Sequence, residues 1–427
     1  MMREALLFVD IIEKIDRDIY TPANYRDLKS GYRLPPSNSG NKLWLGAVEQ
    51  YICQDEVKYS YYDKSMKPEE INGRFEYILA PMANLINSED RERIKELTLF
   101  FKRITIPVYI VGLGAQAKTE KDIEVLIKKT GDLISSLMDS ILSTGGKIGL
   151  RGEITKEILS RLGFDQTTVI GCPSMFINGS NYTVNKKEIE KIKPIINGDT
   201  PFLDTKFTKR IFDDYPEAVY IDQETFAQML YGKNGISIKY HDLFTLIHKY
   251  SYEGVKLFSE DRIKLFFDIP VWMDYIAKEQ FNFCLGTRIH GNIISVLSGI
   301  PSIIIYKDLR VLELAEYLCI PCISEKDAKD MSLPELYDKA DYTKFNQLYN
   351  EKYNRFKYFF DSNKIANSIG DANNTCFSDR MKVLANNYPP ELNREFADSL
   401  HDIIDNGDIS AKFAKMCGTI IFRLKHI

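Results

Sequence analysis

Histidine and tryptophan are scarce in this chain, with five of the first and two of the second in 427 residues. The histidines are His241, His248, His290, His401 and His426. They form no H-x-x-x-H or H-E-x-x-H pair and join no dense acidic cluster, so the common metal-ligating patterns are excluded. The phosphate loop G-x-x-x-x-G-K-[ST] is missing, and Ser174 and Ser295 lack the G-x-S-x-G frame of a nucleophilic serine. Positive charge is not in excess. The formal net charge of −4 speaks against a dedicated nucleic-acid binder. No apolar run approaches the length of a membrane-crossing helix, and the N-terminal run stops at Asp10, too short for a signal-peptide core. The seven cysteines are odd in number and scattered, which suits buried reduced thiols. Cys319 and Cys322 have C-x-x-C spacing but lack a second ligand pair. These absences lead us to expect a cytoplasmic protein without a bound metal or cofactor.

What is present suits a soluble globular protein, 44% hydrophobic and 27% charged, in a chain too long for one ordinary core. Short apolar runs alternate with helical patterns. In the first half the patterns predict strands at 77–80, 107–117, 147–150 and 167–170, and helices at 43–52, 89–102, 119–143 and 155–162. Residues 1–30 read as helical. A polar, lysine-rich stretch at 176–215 reads as a linker. Beyond it, strands are expected at 219–222, 255–258, 268–272 and 301–306, with helices at 273–280 and 311–318. The alternation predicts an α/β fold of two Rossmann-like domains, each with a doubly wound parallel sheet, facing a cleft. Residues 1–190 form the first domain, 191–345 the second, and 346–427 a helical C-terminal extension. The last stretch, 411–426, is basic and amphipathic. It reads either as a helix lying on an anionic membrane surface or as a terminal helix packed on its own protein.

One stretch stands out. The apolar run ending Phe283-Cys284-Leu285 meets Gly286, Thr287, Arg288, Ile289, His290, Gly291 and Asn292, then apolar residues at helical spacing. This reads as strand, tight turn and helix start. Such a turn aims backbone N–H groups and the positive end of a helix at one point, where an anion can sit. Arg288 adds a fork-shaped permanent cation, and His290 a group that moves protons near neutral pH. The turn therefore reads as the holder and protonator of an anionic donor. Arg151, beside Gly152 at another strand end, reads either as an anion ligand or as a surface salt bridge to Glu153 or Glu157. Asn38, Gly40 and Asn41 sit where a loop enters a helix, placed to cap it or to cradle a substrate. Gly112 and Gly114 fit G-x-G-x-x-A as text, but Lys118-Thr119-Glu120 intervene before the helix and no acidic strand end follows. Close chain passage at a strand end is the plainer reading.

Gly286-Thr287-Arg288-Ile289-His290-Gly291, followed by Ser298-Gly299-Ile300-Pro301 and by Tyr306-Lys307-Asp308-Leu309-Arg310, resembles the polysaccharide pyruvyl transferase family. Asn38 to Asn41, Gly112 to Gly114 and Arg151 to Glu153 fall in that family's order and spacing, so the resemblance runs from about residue 38 to about 325. Two segments depart from it. Ala80-Pro81-Met82-Ala83-Asn84 replaces a glycine-rich turn, and Cys172 stands before Pro173 where an aspartate is common. The resemblance implies transfer of pyruvate from phosphoenolpyruvate to a hexose of a bacterial surface-glycan precursor, as a cyclic ketal. It implies a fold like the GT-B glycosyltransferases, with Arg151, Arg288 and His290 as the essential residues. Donor contacts are then expected from Gly286, Thr287, Gly291, Asn292, Asp308 and Arg310. Acceptor contacts are expected from Asn38, Gly40, Asn41, Asn84, Gly112, Gly114 and Gln116. A lipid-linked oligosaccharide is among the acceptors the resemblance allows, which would bring the protein to the inner face of the membrane. Two other readings stay open. One is a nucleotide-sugar glycosyltransferase, with a diphosphate on the turn and Glu313 or Asp308 at a ribose. The other is a non-catalytic carbohydrate-binding protein, which a content of 25 Tyr and 24 Phe permits.

Overall fold

A computed structural model describes residues 3–9, 40–52, 57–223, 240–266, 269–370, 400–404 and 409–425. The first sheet comprises β1 (Arg3–Leu7), β2 (Val57–Tyr61), β3 (Ile78–Pro81), β4 (Val108–Leu113), β5 (Lys147–Leu150) and β6 (Thr168–Val169), in the order β2-β1-β3-β4-β5-β6. The second comprises β7 (Pro194–Asn197), β8 (Val219–Asp222), β9 (Ile263–Leu265), β10 (Phe283–Gly286), β11 (Ser302–Tyr306) and β12 (Cys322–Ser324), in the order β12-β11-β10-β7-β8-β9. Neighbouring strands are parallel throughout both sheets. A parallel sheet is covered on both faces and needs strands without a polar side. Accordingly, every residue of β3, β7, β8 and β10 is buried.

The longer helices are α1 (Asn41–Tyr51), α2 (Arg91–Phe101), α3 (Glu120–Leu142), α4 (Glu153–Arg161), α5 (Lys206–Asp214), α6 (Tyr240–Tyr250), α7 (Tyr252–Ser259), α8 (Ile269–Lys278), α9 (Ile289–Leu297), α10 (Leu309–Leu318), α11 (Thr343–Ser362) and α12 (Ile409–Lys425). The α/β class and the paired parallel sheets agree with the sequence patterns. Several elements do not. The expected N-terminal helix is strand β1 where it is described. Ala5, Leu6 and Leu7 are buried between β2 and β3, and a short apolar run cannot announce by periodicity whether it is buried helix or buried strand. Residues 255–258 are helix α7, started by Ser251, whose side chain accepts from the Gly254 N–H at 3.1 Å. The adjacent strand is β9. Residues 269–272 likewise belong to helix α8, and 194–214 hold β7 and α5 rather than linker.

Chain order places one reversal in each sheet. Strands β1 and β3 flank it in the first, β7 and β10 in the second. Crevices beyond strand carboxyl ends at such reversals are where open α/β sheets bind ligands. Several contacts join the halves, among them the Tyr317 hydroxyl of α10, which donates to the Val169 carbonyl at 3.4 Å. Glu313 of α10 accepts from the Thr155 backbone N–H at 2.6 Å and from the Thr155 hydroxyl at 3.1 Å, at the start of α4. The segment from α11 onward returns to the first half. Phe356 packs on Tyr51 and Phe176, Tyr349 donates to the Met175 carbonyl at 3.0 Å, and Tyr59 donates to the Ala366 carbonyl at 2.9 Å. Buried Phe345, Tyr349, Tyr353, Phe356 and Phe360 recur at helical spacing along this strap.

Candidate functional site

Both sheets present their strand ends to one cleft. The first half contributes Trp44 from α1, Asn84 after β3, Gly112 in β4, Arg151 after β5 and Cys172 after β6. The second contributes Gln223 after β8, the turn from Thr287 to His290 after β10, and Arg310 in the first turn of α10. Arg151, Arg288 and Arg310 thus converge, and no Asp or Glu is among the described residues that line the cleft.

The turn is held from behind by Asn197 at the end of β7. Its carbonyl accepts from the Thr287 N–H at 3.0 Å, and its side-chain oxygen accepts from the Arg288 N–H at 3.1 Å. A Cβ on Gly286 would lie 1.9 Å from the Asn197 carbonyl oxygen, so only glycine permits this approach. Asn292 is fully buried. Its amide donates to the Gly286 and Arg288 carbonyls at 3.1 and 2.8 Å, and its oxygen accepts from Ser302 at 2.7 Å. It braces the turn and does not line the cleft. Arg288 occupies the N-cap position of α9 and provides no side-chain cap. The positive end of that helix therefore faces the cleft through Arg288, Ile289 and His290.

Arg151 is 6% exposed and donates to the side-chain oxygen of Asn84. It is no surface salt bridge to Glu153 or Glu157. Burial lowers its pKa while Glu313 opposes that shift and Arg310 adds to it, but guanidinium remains charged at any working pH. Gly114 lies under it: a Cβ there would meet the Arg151 Nε at 2.7 Å. His290 borders the cleft with its Nε2 4.0 Å from the Cys172 sulfur. Crowding by protein atoms, with Arg151 and Arg310 nearby, pushes its pKa down to about 3. Burial raises the Cys172 thiol, which accepts from Ser174 at 3.0 Å. The imidazole of the free protein is neutral at pH 7.

Other candidates lie elsewhere. Asp308 caps α10, accepting from the Val311 N–H at 2.9 Å, with the Arg310 guanidinium 3.3 Å from its other oxygen. Gly291 sits against Gln223 and Asn197. Gln116 is exposed, its N–H bonded to the Ile86 carbonyl at 2.8 Å. Gly40 is buried at the N-cap of α1. Asn38 and the Asn41 side chain lie outside the described residues. Two cleft residues had no motif to announce them. Gln223 is 4% exposed with neither amide atom bonded, and Trp44 is 5% exposed with an unbonded Nε1 among the described residues. Arg310 Nε is unbonded in the same sense. Buried polar groups without partners are costly, so three beside one cleft mark groups that await a ligand or water. Among the described residues no group of three His, Cys, Asp or Glu could hold a metal.

A family model described as polysaccharide pyruvyl transferase matches residues 38–308. The chain belongs to that family. It is therefore a transferase, with a polysaccharide as acceptor class. The matched span covers every described residue of the cleft up to Asp308 and leaves Arg310 and Leu314 just beyond it. The sequence has no significant match among curated proteins. Solved structures similar to it include an uncharacterized protein from Klebsiella pneumoniae, at 13% identity over 66% of this chain and 84% of that one, with a TM-score of 0.36. UDP-GlcNAc 2-epimerase from Neisseria meningitidis, bound to UDP-GlcNAc, is 11% identical over 85% of this chain and 100% of its own, with a TM-score of 0.43. MurG from Acinetobacter baumannii is 8% identical over 94% and 99%, with a TM-score of 0.30. Likenesses this distant pass nothing about substrate to the pyruvyl transferase family member described here.

Proposed function

We propose that the cleft binds phosphoenolpyruvate and transfers its pyruvyl group to a hexose of a surface-glycan precursor as a cyclic ketal. One observation carries this reading: three arginines and a histidine at a helix N-terminus converge on a cleft whose described lining includes no carboxylate. Phosphoenolpyruvate carries a carboxylate and a phosphate, which two or three guanidiniums and a helix start can divide between them.

In the proposed reaction, His290 gives a proton to the methylene carbon and one sugar hydroxyl adds to the central carbon. A second hydroxyl then displaces phosphate from that carbon. The two hydroxyl protons are released, one of them restoring the charged imidazole, and the products are the ketal and inorganic phosphate. A neutral imidazole cannot start this sequence. Burial, then Arg151 and Arg310, hold the imidazole pKa down; in this proposal the donor's negative charge acts against them, and His290 charges in the donor complex. Asn84, Gly112, Trp44 and Gln223 are left to face the acceptor or the donor carboxylate. Phosphoenolpyruvate is a cytoplasmic metabolite, and the reaction belongs on that side of a bacterial membrane. The nucleotide-sugar reading loses its expected ribose ligands, since Glu313 and Asp308 are engaged with Thr155 and Val311.

The test is incubation with phosphoenolpyruvate and a panel of glycosides. Release of inorganic phosphate together with a pyruvyl mass gain on one glycoside supports the assignment. Phosphate retention across the panel, with glycosyl transfer from a nucleotide sugar, overturns it.

A further inference from the structure

Helix α12 is turned the wrong way for a helix that only packs on its own protein. Its buried face is small: Ala411, Ala414 and Gly418, with Phe422 at the end. That face lies on α6, so closely that a Cβ on Gly418 would meet the Ile247 Cγ2 at 2.8 Å. The large apolar residues face outward instead. Phe413, Met416, Ile420 and Leu424 fall at i, i+3, i+7 and i+11, and are 63%, 53%, 52% and 69% exposed, with Ile421 beside them. A single exposed Leu needs no explanation, but a continuous apolar stripe does.

Charge says what covers it. Residues 409–425 hold Lys412, Lys415, Arg423 and Lys425 and no acidic residue. Lys415 lies over the Tyr252 ring and Arg423 is 3.6 Å from Asp204, yet both contacts leave the cations at the surface. A second copy seated on the stripe would bring two acid-free sets of cations together, at a cost in repulsion. An anionic lipid surface accepts both features at once. Apolar side chains enter the acyl boundary, and lysine and arginine stems reach back to the headgroups.

We propose that α12 lies in the plane of an anionic membrane and docks the protein there through Phe413, Met416, Ile420 and Leu424. No described helix is long and apolar enough to cross a membrane, and the arrangement calls for surface attachment. The proposal stands independently of which reaction the cleft performs.

The full chain is sedimented with vesicles of phosphatidylcholine, and with equimolar phosphatidylcholine and phosphatidylglycerol. Binding is expected only to the second, weakening as salt is raised, and dropping about tenfold or more in a Phe413→Ser/Ile420→Ser/Leu424→Ser variant. These substitutions leave the buried Ala411, Gly418 and Phe422 face intact. A Phe413→Trp variant gives a second reading that needs no destabilised protein, and its emission should shift to the blue on anionic vesicles. Absence of binding to phosphatidylglycerol vesicles, or full retention by the triple variant, overturns the proposal. So does a dimer in solution that the triple variant dissolves.

Discussion

In the proposed reaction, His290 concentrates the chemistry in one side chain. Its pKa of about 3 lies below the ordinary 6.5. Between those values the unfolded chain binds a proton that the folded protein refuses. Stability is thus lost as pH falls through this window, at a slope of up to about 1.4 kcal/mol per pH unit. In His290→Gln, denaturant midpoints measured from pH 7 down to pH 4 should fall less steeply than in the parent protein. The same substitution should lower turnover with phosphoenolpyruvate by about 10²- to 10⁴-fold, while donor affinity changes only a few-fold. Near-normal turnover would remove His290 from the proton-transfer step. The residue was legible because it stood in a glycine-framed turn beside an arginine. Gln223 and Trp44 were not. A lone glutamine or tryptophan carries no spacing signal, and only the absence of a partner among the described residues singles them out.

At the scale of elements, the β10–α9 turn depends on a neighbour far away in sequence. Asn197 sits at the end of a strand whose sequence reads as linker, so the turn was visible and its support was not. Gly286→Ala forces a methyl group into the Asn197 carbonyl. It should cost about 1–3 kcal/mol in urea unfolding and weaken donor binding by displacing the Thr287 and Arg288 N–H groups. Unchanged donor affinity in a folded Gly286→Ala protein would show that the turn geometry is not what holds the anion. The misread elements share a cause. β1, α7 and the start of α8 are short apolar runs, and whether such a run is strand or helix is settled by what packs on it. Long helices with clear caps fared better. α3 begins at Thr119 with a reciprocal capping box to Asp122, a signal written locally in the sequence.

Across the whole molecule, the site exists only because two sheets face each other. The alternation of strand and helix announced two α/β halves, but a contact such as Glu313, which helps set them against one another, is a single residue without a pattern. Glu313 is 3% exposed and bridges from α10 to the start of α4 beside Arg151. Glu313→Ala leaves the Thr155 N–H unsatisfied and Arg151 with less counter-charge. It should lower thermal stability by about 1–3 kcal/mol and reduce affinity for an anionic donor. An unchanged melting temperature would show that the Glu313–Thr155 contact is dispensable to the joining of the halves.

We propose that this interface is a phosphoenolpyruvate site. Thermal unfolding of the full chain, titrated separately with phosphoenolpyruvate and with UDP, tests it most directly. The melting temperature should rise with phosphoenolpyruvate, by about 2.7 kcal/mol of added stability at a hundredfold excess over Kd. Most of that rise should be lost in Arg151→Ala and Arg288→Ala, and UDP should give no response. A rise with UDP and none with phosphoenolpyruvate would contradict the proposal.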